Sequence, residues 1–272
     1  MRSLSVLAGS GEQLTVRCGY ALAKHAGLRG SGVDDGMHLR PGRPLLAGSA
    51  RQWAVVLLAC CTVLVIVLGV LFAHQTKADW LDHVIDAPII TWIGSYQGLA
   101  AWLAAPGSLV PTGALSAAIV VFCLVTGRLN GAALAIAAVP ATAGLNDALF
   151  KHLVHRTYLG VLSYPSGHTA AISALAATVA VLLVVPPQRS RTGPLRVLLA
   201  GAACVLGGVV AIGVIGLRWH YFTDTVAGAA VGIGTVCGLA LLLDLPAARR
   251  QLARACRQPS APHKHQAQAK AR

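Results

Sequence analysis

QWAVVLLACCTVLVIVLGVLFA, running from Gln52 to Ala73, contains no charged residue. Its 22 residues, at about 1.5 Å of rise each, just cross a hydrocarbon core of about 30 Å. A secretory signal explains the run poorly, because it begins about fifty residues into the chain and exceeds an ordinary apolar signal core. Read outward from this segment, the chain offers further candidate spans at roughly Ser108–Thr126, Leu129–Phe150, Thr169–Pro186, Val197–Leu217 and Thr225–Leu245. The pattern predicts an all-α, polytopic membrane protein of six transmembrane helices. Between the first two spans, Asp79–Ile93 (DWLDHVIDAPIITWI) reads as a helix lying in the membrane interface, broken near Pro88.

Composition agrees with a bilayer as solvent. Only 11% of the 272 residues are charged and 56% are hydrophobic, whereas a soluble domain carries about a quarter charged residues. The mean hydropathy is +0.66. A net charge of +13 could suggest nucleic-acid binding, but the Lys and Arg residues bracket the apolar runs and form no basic face with recognition elements. The seven cysteines are odd in number, scattered through apolar runs and without CxxC spacing, so neither a disulfide framework nor a zinc site is expected.

Six spans put both termini on one side of the membrane. The segments on that side hold 18 of the 22 Lys and Arg residues, leaving Lys77, Lys151, Arg156 and Arg218 for the other. Both termini are therefore expected in the cytoplasm, in the cell membrane. Residues 1–50 read as a disordered cytoplasmic tail, and Met37 leaves open a later translation start. Residues 51–246 form the transmembrane domain. Residues 247–272 form a basic cytoplasmic tail suited to the anionic inner leaflet. Aromatics gather on the outer side, Trp80, Trp92, Trp102, Trp219, Tyr96, Tyr158, Tyr164 and Tyr221 among them, and an interfacial belt accounts for most of these.

Three short segments carrying ionisable groups fall together at the outer ends of the spans: Lys151-His-Leu-Val-His-Arg156, Pro165-Ser-Gly-His168, and Arg218-Trp-His220-Tyr-Phe-Thr-Asp224. Such groups are costly near lipid, which makes them functional candidates. Ser166 suits the N-cap of the apolar helix that follows, whose free amides and dipole could cradle an anion that Gly167 lets approach. An ordinary cap beside an interfacial histidine explains the same residues. His220 and Asp224 share a helical face, so the carboxylate could fix the imidazole tautomer, or it could merely cap the last span. Lys151 and Arg156 could converge on one anion or simply snorkel, and Asp147 reads as a structural partner of Lys151. Two histidines, a carboxylate, a helix N-terminus and fixed cations are together the parts that phosphoryl transfer needs.

Over residues 52–245 the sequence resembles the type 2 phosphatidic acid phosphatase (PAP2) superfamily of membrane lipid phosphate phosphatases. Pro165-Ser166-Gly167-His168 and His220-x3-Asp224 match its second and third motifs in order and separation. The resemblance implies that His220 is the nucleophile, giving a phosphohistidine, that Asp224 orients it, and that His168 is the general acid. It implies phosphate binding by Lys151, Ser166 and Gly167, and neither metal nor cofactor.

Two arginines of the family pattern are out of register. Lys-x6-Arg-Pro would place Arg-Pro where Tyr158-Leu159 stand, and the third motif's Ser-Arg falls on Gly213-Val214. Arg156 and Arg218 are the substitutes expected at the phosphate. The reading is a metal-independent lipid phosphatase acting on the outer face on a prenyl (di)phosphate or a phosphatidic acid type of lipid. A non-hydrolytic lipid-phosphate binder or transporter, and a phosphotransferase, are the alternatives. Nucleic acid is not an expected partner, and the sequence does not fix an oligomeric state.

Overall fold

A computed structural model describes residues 44–46, 49–183 and 193–257, with backbone only from residue 246. The predicted tails at residues 1–50 and 247–272 thus fall mostly outside the described residues. The chain is helical: α1 Ser49–Leu71, α2 Trp80–Trp92, α3 Gln97–Ala104, α4 Leu109–Val125, α5 Leu129–Ala143, α6 Lys151–Val154, α7 Gly167–Leu183, α8 Gly193–Gly216 and α9 Phe222–Arg257. A single 3-10 turn, Ala105–Gly107, joins α3 to α4, and a π-helical stretch, Gly144–Phe150, joins α5 to α6. A hairpin of two short antiparallel strands, β1 Thr157–Tyr158 and β2 Val161–Leu162, adds the β structure that the sequence pattern did not suggest.

Among the described residues, five runs are long and apolar enough to cross a membrane: Ser49–Leu71, Gln97–Val125, Leu129–Val154, Gly193–Gly216 and Phe222–Leu245. Gly167–Leu183 is apolar but shorter, and the rest of the expected span to Pro186 lies outside the described residues. The second run begins earlier than the expected Ser108, because α3 continues it across the 3-10 turn. α2 is not broken at Pro88, as expected, but runs through it. The carbonyl that loses its amide partner belongs to Val84, which is exposed and can be satisfied by solvent.

Large apolar side chains point outward, Val55, Val63, Ile66, Val70, Val121 and Leu198 among them, while the interior is built from small residues such as Ala135, Ala138, Ala174, Ala227 and Ala230. That inversion suits lipid, where helices associate through close backbone approach and not through the hydrophobic effect. Gly228 and Gly232, four apart, face the start of α7. A Cβ at Gly228 would come within 2.3 Å of the Ser166 carbonyl oxygen, and one at Gly232 equally close to that of Ala170. α9 and α7 therefore meet backbone to backbone, which brings His220 and Asp224 beside the Pro165-Ser166-Gly167-His168 turn.

The other end of α9 is tied down differently. Asp244 is buried and accepts the amides of Leu45 and Leu46 at 2.8 and 2.7 Å. Arg128 donates to the Leu182 carbonyl at 2.8 Å. All residues singled out for chemistry lie at the end of the bundle opposite to these.

Candidate active site

Lys151, Gly167, His168, Arg218 and His220 line one cavity of about 540 Å³. The three segments picked out in the sequence therefore converge. The remaining walls are largely apolar, with Leu109 and Thr112 from α4, Val139 and Ala143 from α5, and Leu159, Val161 and Leu162 from the hairpin. Lys151 is carried out of α5 by the π-helical stretch, a local rewinding frequent at functional sites. Its Nζ sits 2.8 Å from Asp147 Oδ1, the structural pairing anticipated from their spacing, and Asp147 also lines the cavity. The His168 ring lies against Trp219, with centroids 5.4 Å apart. Arg218 has a left-handed backbone (φ 59°) and is exposed. Among the described residues no ion pair holds its head group.

His220 is buried, and its Nδ1 lies 2.8 Å from the Ser163 carbonyl oxygen. A carbonyl can only accept, so Nδ1 carries the hydrogen and Nε2 keeps its lone pair. Burial pushes the imidazole pKa down to about 3, against the opposing pull of that carbonyl and with His168 and Lys151 adding to the effect. The ring is thus neutral at physiological pH, as a nucleophile must be.

The expectation that Asp224 orients this ring directly is not met. Its Oδ1 accepts from Arg156 Nη1 at 2.7 Å and its Oδ2 from the Tyr221 amide at 3.1 Å, while a peptide carbonyl occupies the Nδ1 position. Asp224 acts one peptide removed, on the backbone that carries His220.

Arg156 is also placed differently from the expectation. It is fully buried and does not line the cavity. Its two terminal nitrogens are held by Asp224, Thr223 and Asp82, and its guanidinium is sandwiched between the rings of Phe72 and Tyr221 at 4.4 and 4.3 Å. Its Nε finds no partner among the described residues, but a guanidinium neutralised by two enclosed carboxylates and shut off from the cavity lacks the exposure to clamp a phosphate in this geometry. Ser166 makes no side-chain capping bond. Its buried Oγ has no partner among the described residues, and the turn is held instead by Ser166 N donating to the Asp224 carbonyl (2.9 Å) and by Asn146 Nδ2 reaching the Pro165 carbonyl (3.3 Å).

The geometry also accounts for both motif departures. Leu159 and Gly160 form the hairpin turn with φ of 49° and 81°. Proline, fixed near −65°, cannot occupy the first of these positions. Val214 is fully buried in an apolar cluster with Ala104, Ile172 and Leu175, where an arginine would find no partner.

Asp82 and Asp86, which the sequence pattern places simply on a helix, are both buried against the start of α9. Thr223 N donates to Asp82 Oδ1 (2.9 Å) and Phe222 N to Asp86 Oδ1 (3.1 Å). Their spacing of four, placing two carboxylates on one face of a short helix, was the available signal. Ser163 and Asn146 act through a backbone carbonyl and a buried amide, which no residue pattern announces.

The PAP2 superfamily, as a family, matches residues 135–246. Among solved structures, the fold is similar to "Crystal structure of the first transmembrane PAP2 type phosphatidylglycerolphosphate phosphatase from Bacillus subtilis". Identity is 17% and the TM-score 0.50, over 71% of this chain and 96% of that one. At that identity the likeness concerns the fold alone. No curated protein matches the chain significantly.

Proposed function

We propose that this chain, which matches the PAP2 superfamily over residues 135–246 and holds several helices long and apolar enough to cross a membrane, is a metal-independent lipid phosphatase. The observation that carries the reading is the gathering of His220, His168, Lys151, Arg218 and Gly167 around one cavity whose other walls are largely apolar. Such a cavity suits a phosphate head joined to a long hydrocarbon.

His220 Nε2 attacks phosphorus, and the bond from phosphorus to the lipid oxygen breaks. His168 delivers its proton to that oxygen, leaving a phosphohistidine. Water then attacks the phosphohistidine with His168 taking its proton, which releases phosphate and restores His220. Lys151, Arg218 and the amides at the start of α7 stabilise charge on the equatorial oxygens. The two sides of the cavity divide the substrate: head group at the histidines, apolar chain along α4, α5 and the hairpin.

Prenyl (di)phosphates are the first substrates to test, and phosphatidic acid and phosphatidylglycerol phosphate the second. The six-span layout, both termini in the cytoplasm and an outward-facing site complete the proposal, supported by the distribution of Lys and Arg. In reconstituted membranes with EDTA, wild-type protein should release phosphate from one of these lipids, and His220→Ala should lower the rate at least about a thousand-fold. Wild-type protein silent on all of them would remove the hydrolase reading in favour of a non-hydrolytic binder. Loss of activity in EDTA would remove the metal-free mechanism.

A further inference from the structure

Both peptide segments that hold the His220 ring lead back to one enclosed ion-pair group. On one side the Arg156 carbonyl accepts the Ser163 amide at 2.9 Å, and the Ser163 carbonyl in turn receives His220 Nδ1. On the other, Arg156 Nη1 holds Asp224, whose second oxygen takes the Tyr221 amide next to His220. Asp82, from a helix that contributes nothing to the cavity, closes the group. It accepts from Arg156 Nη2, from the Thr223 amide at 2.9 Å and from the Thr223 hydroxyl at 3.1 Å. Asp82, Arg156 and Asp224 are all fully buried.

We propose that Asp82 is a positioning residue for the reaction at His220, acting through Arg156, Thr223 and Asp224. The inference rests on the reading of His220 as the nucleophile.

Enclosed charge triads add little net stability over apolar packing, so stability alone is a poor reason for one here. What a planar guanidinium between two carboxylates does supply is direction, since each N–H···O bond fixes an angle as well as a distance. With Asp224 alone, Arg156 would be held from one side only and could swing within the Phe72–Tyr221 sandwich. The second carboxylate locks it, and with it both peptide segments around the ring. Catalysis is sensitive to such placement: a misplacement of about 1 Å can cost about a hundred-fold in rate.

The experiment uses the full chain in lipid nanodiscs. Asp82→Asn keeps an acceptor for the Thr223 amide and removes the charge facing Arg156. It should lower kcat about a hundred-fold and leave KM within about twofold, because no cavity group is touched. Asp82→Asn combined with Asp224→Asn should fall no lower than the weaker single variant. Paired with the distant Asp244→Asn, its effect on kcat should be the same as in Asp82→Asn alone. Thr223→Val, a milder change that removes only the hydroxyl, should lower kcat about fivefold, with Thr223→Ser restoring it. It serves as the test if Asp82→Asn does not fold. Unchanged kcat in Asp82→Asn or Thr223→Val, or independent effects of Asp82 and Asp224, would overturn the proposal while leaving the hydrolase intact. If wild-type protein hydrolyses no lipid phosphate, the hydrolase reading fails, and orthovanadate binding then decides on its own. Wild-type protein should bind it at least about tenfold more tightly than Asp82→Asn. Equal affinities, or no binding by wild type, would overturn the positioning role.

Discussion

Arg156 and Arg218 live in different media. Arg156 is enclosed, neutralised by Asp82 and Asp224 and sandwiched between two rings. Arg218 is exposed and lines the cavity, with no ion pair among the described residues. Sequence spacing offered both as substitutes for the same lost function. The difference teaches that a cation near a catalytic histidine can serve in two ways: dry and saturated it fixes geometry, wet and unsaturated it meets the substrate.

The comparison breaks most visibly at Arg156. Arg156→Ala leaves two buried carboxylates without their counter-charge, so stability should fall by about 3–5 kcal/mol, measured by thermal unfolding in detergent. Unchanged stability would mean that this arginine is not the saturated partner described. Arg218→Ala should leave unfolding alone and raise KM for the lipid phosphate about tenfold, the loss of a charge-assisted hydrogen bond to the head group. A stability loss without a KM change would exchange the roles of the two arginines.

A third test concerns the dry side only. Burial, with the Asp82 carboxylate adding to it, raises the Asp86 pKa from 3.8 to about 7. Between about pH 4 and 7 the folded protein therefore holds a proton that the unfolded chain has released, and this stabilising contribution is lost as pH rises through that window. Wild-type melting temperature should fall relative to Asp86→Asn between about pH 5 and 7.5; a constant difference would show that Asp86 does not titrate there. The smallest effect belongs to the far end of α9. Asp244 is buried, like Asp224, but among the described residues it meets only backbone amides. Asp244→Asn should cost about 1 kcal/mol of stability and leave kcat unchanged, and a drop in kcat would make that end part of the machinery.

The membrane character was legible because apolar runs are local and long, and five of the six expected spans recur as helical runs of spanning length. The cavity residues were legible for a related reason: Lys151, His168, Arg218 and His220 stand at span ends, where an ionisable residue is conspicuous. The unbroken helix at Pro88, the hairpin at Tyr158–Val161 and the capping of α9 by α2 were not. Each depends on what faces it, and none repeats with a period.

By itself, then, the sequence determined a polytopic helical protein with two histidines, Lys151 and Arg218 gathered at the ends of spans, because hydropathy and motif spacing act over neighbouring residues. Only the tertiary structure decided which groups hold His220. Arg156 meets Asp82 and Asp224 across 74 and 68 residues of chain. A buried charge takes whatever partner the packing of separate helices brings within reach. The close meeting of α9 and α7 through Gly228 and Gly232, and the docking of α2 against the start of α9, supply those partners. That is why one arginine ended in the core and the other at the cavity.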